Sequence, residues 1–364
     1  MSIKYIEISN VMAFQSYSRK KSHENVKNIL KEDAEYNNVF TLDFCDGINV
    51  LLGENGVGKT TILKMIYTAT QCSFKSVDER KTKKLLHFFS ANLKDNGELK
   101  NYNNKDGFSY YKISDGQHVF LDSLSHDGLI GYDKWIGLNI QSVYIPTMEM
   151  LSHSKGFLAL NQKYNMPFDG TQIDIVVNAS LPEIKDMPKA LNGILKKISD
   201  TIDGEVVMED DTFYIVKKDG RKVDFSLEAE GLRKLGLLWK LIRNGLLEEG
   251  SILLWDEPEA NLNPELFPLV AEILLELQKN GVQIFVATHS YNFAKYLEIK
   301  REDDSQVYFH NLYRVESNFS EILKKEIDME RKDILSSSAY HMDDLKSNHI
   351  ILADNKLLDE IYDM

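Results

Sequence analysis

Three stretches of the sequence carry side chains whose types and spacing could act on a phosphate. Gly53-Glu54-Asn55-Gly56-Val57-Gly58-Lys59-Thr60 has the spacing G-x-x-x-x-G-K-[ST]. In such a loop the glycines turn the chain so that successive backbone N–H groups point inward at a polyphosphate. Lys59 then reaches the β- and γ-phosphates and the Thr60 hydroxyl can hold Mg²⁺. A helix starting at the loop, through Thr61, adds its positive dipole end. Far downstream, Gly250-Ser-Ile-Leu-Leu-Trp-Asp256-Glu257 is a short apolar run ending in two acids. Asp256 would meet the Mg²⁺ held by Thr60, because a hard cation takes a carboxylate or its water there. Glu257, one residue on, is placed to polarise an attacking water. Gln283-Ile-Phe-Val-Ala-Thr-His289-Ser290 is a further apolar run, ending in a histidine. An acidic pair after an apolar run is commonly a surface turn, and a lone histidine is commonly structural. Three strand ends carrying Lys59, Glu257 and His289 make a catalytic grouping when they converge.

The elements that must position these residues are strands apolar on both faces, which belong in the middle of a parallel sheet. Residues 48–52 lead into the glycine loop, and residues 61–67 continue it as a helix. Residues 2–9 and 39–44 alternate polar and apolar, as a small antiparallel sheet beside the parallel one would. A hairpin is expected at 108–113 and 117–121, around Ser114-Asp115-Gly116. A lone apolar strand, 142–145, ends at Pro146. Residues 188–202 read as an amphipathic helix with Pro188 at its first position. A three-strand meander follows at 205–208, 212–216 and 222–225. A helix from about Glu230 shows a core-facing stripe at Leu232, Leu235, Leu238 and Leu241. Residues 306–314 read as a last strand and 355–364 as a terminal acidic helix. The expected division is 1–75 with the glycine loop, 76–225 as an insertion or second lobe, 226–300 with the acidic pair and histidine, and 301–364 closing the core.

The chain has 364 residues, 43% apolar, with a net charge of −13. That length and apolar content support a sizeable core. The negative balance advertises no nucleic-acid or anionic-membrane surface. Cys45 and Cys72 make neither a disulfide framework nor a metal knuckle and suit a reducing compartment. No signal-peptide pattern and no long apolar run is visible, so a soluble cytoplasmic protein without membrane attachment is expected. Arg19-Lys20-Lys21 and the basic stretch at 80–84 could touch DNA or RNA phosphates, although solvated helix faces are the commoner meaning. Phe14 and Tyr17 could stack on adenine or belong to the core.

The glycine loop, Leu253-Leu254-Trp255-Asp256-Glu257-Pro258, Glu259-Ala260-Asn261-Leu262-Asn263-Pro264 and Ala287-Thr288-His289-Ser290, in this order, resemble an ABC-type ATPase. More narrowly, the chain is similar to the soluble branch that includes RecF, SMC heads, OLD-family proteins and the ATPase subunits of antiphage systems such as Septu and PARIS. The resemblance implies an α/β P-loop NTPase fold of ABC type, with a central parallel sheet flanked by helices. An antiparallel β subdomain and a helical and β insertion ahead of the signature loop go with it. It also implies that Lys59, Thr60 and Asp256 bind Mg²⁺ and ATP, that Glu257 is the general base, that Asn261 begins the D-loop and that His289 is the switch histidine.

In this family a signature loop completes the ATP site of the opposite subunit, which implies a homodimer or higher oligomer. The candidate is Ala229-Glu230-Gly231, where related chains commonly show Ser-x-Gly; the serine hydroxyl is missing unless Ser226 substitutes. No glutamine follows the 142–145 strand, where Thr147 and Glu149 stand and Gln141 precedes, so the family's glutamine loop is unassigned. The chain shows no Toprim nuclease domain and no other effector chemistry. A separate nuclease or toxin partner, in antiphage defence or DNA repair, is therefore the expectation. The alternatives are the nucleotide-binding subunit of a membrane transporter and a non-hydrolysing ATP-dependent scaffold.

Overall fold

A computed structural model describes residues 1–15, 39–74, 85–90, 92–102, 109–124, 128–130, 134–164, 166–316 and 332–362. Tyr17, Arg19-Lys20-Lys21 and the basic stretch at 80–84 lie outside the described residues. The chain opens with β1 (Tyr5–Ser9), β2 (Phe40–Asp43) and β3 (Ile48–Gly53), and the glycine loop leads into α1 (Lys59–Gln71). Next come α2 (Leu85–Phe89), the hairpin strands β4 (Tyr110–Ser114) and β5 (Val119–Ser123), and then β6 (Gly128–Ile130) and β7 (Ser142–Ile145). Helices α3 (Phe157–Tyr164), α4 (Gly170–Ala179) and α5 (Lys189–Ile202) precede the meander β8 (Gly204–Glu209), β9 (Thr212–Lys217) and β10 (Lys222–Asp224). The second half holds α6 (Glu230–Arg243), β11 (Ile252–Asp256), α7 (Phe267–Lys279), β12 (Gln283–Thr288) and α8 (Tyr291–Lys300). The described chain closes with β13 (Val307–Glu316), β14 (Lys332–Ala339) and α9 (His349–Tyr362).

The central sheet has the order β14-β13-β3-β12-β11-β7. All of its strands run parallel except β14, which pairs antiparallel on the outside of β13. Every residue of β3, β7, β11 and β12 is buried, which is why these strands read as continuous apolar runs. Because side chains alternate between faces, the sheet feeds two separate cores. Val50, Leu253, Trp255 and Val286 pack with Ile194 and Ile198 of α5, Leu235 and Leu238 of α6 and Ile273 of α7. Leu51, Leu254 and Phe285 pack on the other side with Ile62 and Ile66 of α1 and with Ile6, Ile8 and Ile113 of the antiparallel sheet. Each such buried side chain contributes roughly 1.5–3 kcal/mol. The parallel order puts the C-terminal ends of β3, β11 and β12 on one edge.

Several sequence expectations change. Residues 76–225 do not fold as one insertion: β4 pairs with β1 in a five-stranded antiparallel sheet of order β2-β1-β4-β5-β6, and β7 is an edge of the central sheet. The meander β10-β9-β8 is a separate sheet, packed on α5 and α6. The 306–314 strand is not the last, since β14 follows it. The terminal helix starts at His349, before 355, and Pro188 caps α5 from one residue ahead of its first position. Phe14 is 1% exposed and packs against Phe40, ring centroids 4.5 Å apart, so it is core. Among the described residues no helix is long and apolar enough to cross a membrane.

Candidate functional site

The glycine loop is shaped by three glycines with positive φ: Gly53 at 141°, Gly56 at 78° and Gly58 at 99°. An added Cβ at Gly53 would stand 2.3 Å from the Leu312 carbonyl oxygen, and one at Gly58 would stand 2.4 Å from Phe14 Cζ. The loop is thus braced from behind by β13 and from below by Phe14, and other residues at these positions would displace it. Gly58 is the residue preceding α1, so the helix's free N–H groups open into the loop. Lys59 is 7% exposed, and its ammonium donates to the carbonyls of Gly53 at 2.7 Å and Glu54 at 2.9 Å. Burial pulls its pKa down, while Glu257, Asp256, Glu259 and Glu54 push it back up.

The Thr60 hydroxyl lies 3.0 and 3.2 Å from the two carboxylate oxygens of Asp256 at the end of β11. The Tyr144 hydroxyl, from β7, donates to the same carboxylate at 3.2 Å. Burial raises the Asp256 pKa, against the lowering effect of the Thr60 hydrogen bond. Glu257 leaves the strand with φ of 50°, a left-handed conformation that costs a non-glycine residue roughly 1 kcal/mol. Its carboxylate Oε1 sits 3.2 Å from His289 Nδ1, just past β12. The structure thus brings Lys59, Thr60, Asp256, Glu257 and His289 together at the ends of β3, β11 and β12.

Three residues that the sequence reading passed over belong to this group. Glu259 is 7% exposed and accepts from the Thr288 hydroxyl, while its Oε2 has no hydrogen-bond partner among the described residues. Burial raises its pKa. It lines an opening of about 550 Å³ shared with Glu54, His289, Tyr291, His349 and Asp354, so α9 flanks the site. Lys234, on α6, is 2% exposed and donates to the carbonyls of Ala260 at 2.6 Å and Glu257 at 3.2 Å. Tyr144 and Thr147, whose hydroxyl reaches the Asp256 carbonyl at 3.5 Å, fill the surroundings in which a glutamine was sought. Glu149 is spent on the backbone of Ser152 and on Arg233. The acid inside Glu259-Ala-Asn-Leu-Asn-Pro was a readable signal; the lysine and tyrosine are tertiary placements with none.

The Ala229-Glu230-Gly231 stretch stands apart. Ala229 caps α6 without a side-chain hydrogen bond, and Ser226 is occupied with Asp224 at 2.6 Å, so it supplies no replacement hydroxyl. Asn261, with φ of 58°, donates to Glu230 at 2.8 Å. Gly231 lies against Asn261 and Leu262, where a Cβ would stand 3.1 Å from Leu262 Cδ1. Among the described residues no hydrogen bond joins 229–231 to the glycine loop of the same chain.

Residues 48–294 match the family described as "AAA domain, putative AbiEii toxin, Type IV TA system". The chain belongs to this family. Among curated proteins it is similar to the L-cystine import ATP-binding protein TcyN of Bacillus subtilis, 35% identical over 107 residues, covering 25% of this chain and 40% of that one. It is also similar to the DNA replication and repair protein RecF of Staphylococcus epidermidis, 27% identical over 197 residues, covering 53% of this chain and 51% of RecF. The chain thus spans about half the length of the curated relatives it matches. Among solved structures the SMC head domain from Thermotoga maritima aligns with a TM-score of 0.46 and 16% identity, covering 93% of this chain and 99% of the head domain. The fold class is that of the P-loop ATPases of ABC type, a mostly parallel sheet flanked by helices and joined to an antiparallel one.

The donor set suits a nucleotide with a hard divalent cation. Backbone N–H groups and Lys59 face a cradle kept open by glycine, and the hydroxyl and carboxylate beside it are oxygen ligands. Among the described residues no group of three His, Cys, Asp or Glu side chains gathers to hold a metal. Mg²⁺ suits such a site, because it is usually held by one or two protein oxygens together with substrate phosphates.

Proposed function

We propose that the chain binds ATP with Mg²⁺ and hydrolyses it, and that two copies close around the nucleotide to control a separate effector. The observation that carries this is the contact of Thr60 with Asp256 beside the Glu257–His289 pair. When bound, Mg²⁺ would neutralise charge on the β- and γ-phosphates and order the leaving group. Thr60 and Asp256 would hold it. Lys59 would leave the Gly53 and Glu54 carbonyls for phosphate oxygens. Glu257 would take a proton from the attacking water, and His289 would hold that carboxylate and face the terminal phosphate.

The separation of 229–231 from the chain's own glycine loop supports a role in trans, with the start of α6 presented to the nucleotide of a second copy. Leu227, just before it, is 79% exposed, which suits a surface that becomes covered. The family description names a toxin in a type IV system and RecF is named for DNA replication and repair. Both fit an ATPase whose effect is delivered by a nuclease, toxin or nucleic-acid partner, in antiphage defence or repair, in the cytoplasm. The transporter reading has behind it a match covering only 25% of the chain.

Phosphate release and oligomeric state, measured with and without ATP, test the proposal. Glu257→Gln should lose turnover by about 100-fold while binding ATP and accumulating as a dimer. Unchanged turnover in this variant removes Glu257 from catalysis. A nucleotide-saturated monomer at high protein concentration removes the closure.

A further inference from the structure

Arg314 stands on β13 two residues beyond the Leu312–Gly53 pair that joins this strand to β3. That register carries it alongside the glycine loop. Its Nη2 donates to the Asn55 carbonyl at 3.3 Å and lies 2.7 Å from where a Cβ on Gly56 would stand. Gly56 occupies an unspecified position of G-x-x-x-x-G-K-[ST], so the spacing alone does not ask for glycine there. Its positive φ of 78° does. Among the described residues the bond to Asn55 is the only side-chain hydrogen bond of Arg314. A guanidinium has five N–H donors in a planar fork suited to two phosphate oxygens. Here nearly all of them are unspent on an exposed side chain at the rim of an anion-binding loop.

We propose that Arg314 is a phosphate-binding residue of the nucleotide site, its guanidinium leaving the Asn55 carbonyl for the terminal phosphate of ATP. The proposal rests on the reading of the glycine loop as an ATP site. The terminal phosphate is the target because the loop's own N–H groups enclose the inner ones. A side chain outside the loop meets only oxygens that project beyond it. Arg314 thereby lets the site tell ATP from ADP, with a residue that lies outside every sequence motif of the chain.

Titration calorimetry with Mg-ATP and Mg-ADP, on the full chain carrying Glu257→Gln to prevent turnover, tests this. Adding Arg314→Gln should weaken ATP about tenfold and leave ADP within about twofold, with Arg314→Lys intermediate. Equal weakening of both nucleotides would make Arg314 a brace of the loop and overturn the proposal, as would no change in either. A Glu257→Gln parent that binds neither nucleotide overturns the ATP site itself, and the proposal with it.

Discussion

Lys234→Met removes a buried ammonium while keeping most of the side chain's length, and its cost can be worked from the contacts. Lys234 donates to the carbonyls of Ala260 and Glu257, and both carbonyls lie in the turn between β11 and α7. Burial lowers its pKa, while Glu230, Glu259, Glu257 and Asp256 oppose that. The Glu257 carbonyl keeps the Ala260 N–H at 3.1 Å, so the Ala260 carbonyl is the one left without this donor; that costs about 1–3 kcal/mol, and relief of the buried charge offsets part of it. A net loss of about 1–2 kcal/mol is expected. The turn it holds contains two left-handed residues, Glu257 and Asn261, which relax without their clamp. A shift of about 1 Å in a catalytic group costs on the order of 100-fold in rate. Phosphate release should fall by that order, while ATP affinity, set by the Lys59 loop, stays within about threefold. Urea unfolding gives the stability, and steady-state phosphate release with nucleotide titration gives the rest. A variant with wild-type stability and turnover would refute the clamp, and so would one losing affinity and rate together.

Glu259→Gln tests the orphaned buried carboxylate. Because burial raises its pKa, the group's contribution to stability is complete below its unfolded value of 4.5 and is lost as pH rises through the folded value. The glutamine variant should therefore be the more stable protein at pH 8, its advantage in urea midpoint closing toward pH 4.5; a pH-independent difference would contradict this. Ala229→Ser supplies the hydroxyl that the start of α6 lacks and should stabilise the chain by about 0.5–1 kcal/mol as a helix cap. If that helix start meets a second copy's nucleotide, turnover should rise as well; a raised unfolding midpoint with unchanged turnover would count against the trans contact.

The parts of the fold legible in the sequence were those whose pattern is local. Strands β3, β11 and β12 are buried on both faces and so read as unbroken apolar runs. The hairpin β4–β5 and the meander declare themselves through Asp and Gly turns. The pairing of β4 with β1 was not legible, because a strand's partner across a long separation leaves no mark on its own period. Strand β14 escaped because Lys-Asp-Ile-Leu-Ser-Ser-Ser-Ala is weakly apolar, as an edge strand can be. Gln283 looked like the mere start of a strand, yet its side chain bonds Ile3 and Cys45 and ties β12 to the chain's first residues. Within the site, Lys59, Thr60, Asp256, Glu257 and His289 could be named from motif spacing. Lys234, Tyr144 and Arg314 were not, since each serves through a contact made only by the folded chain.

These contacts give the proposed closure a physical route to Glu257, the proposed general base. The helix start at 229–231, proposed to meet a second copy's nucleotide, is tied within its own chain to the turn that carries Glu257. Glu230 holds Asn261, and Lys234, one helical turn on, holds the carbonyls of Glu257 and Ala260. Gly231 adds a close backbone approach to Leu262, which leaves little slack between helix and turn. A small displacement of α6 on docking must therefore move the turn or break a buried, charge-assisted hydrogen bond, and moving the turn costs less. Glu257, held in a left-handed conformation in that turn, would swing its carboxylate as its backbone angles relax. Occupancy at one nucleotide site would then bias the base of the other without any contact between the two nucleotides.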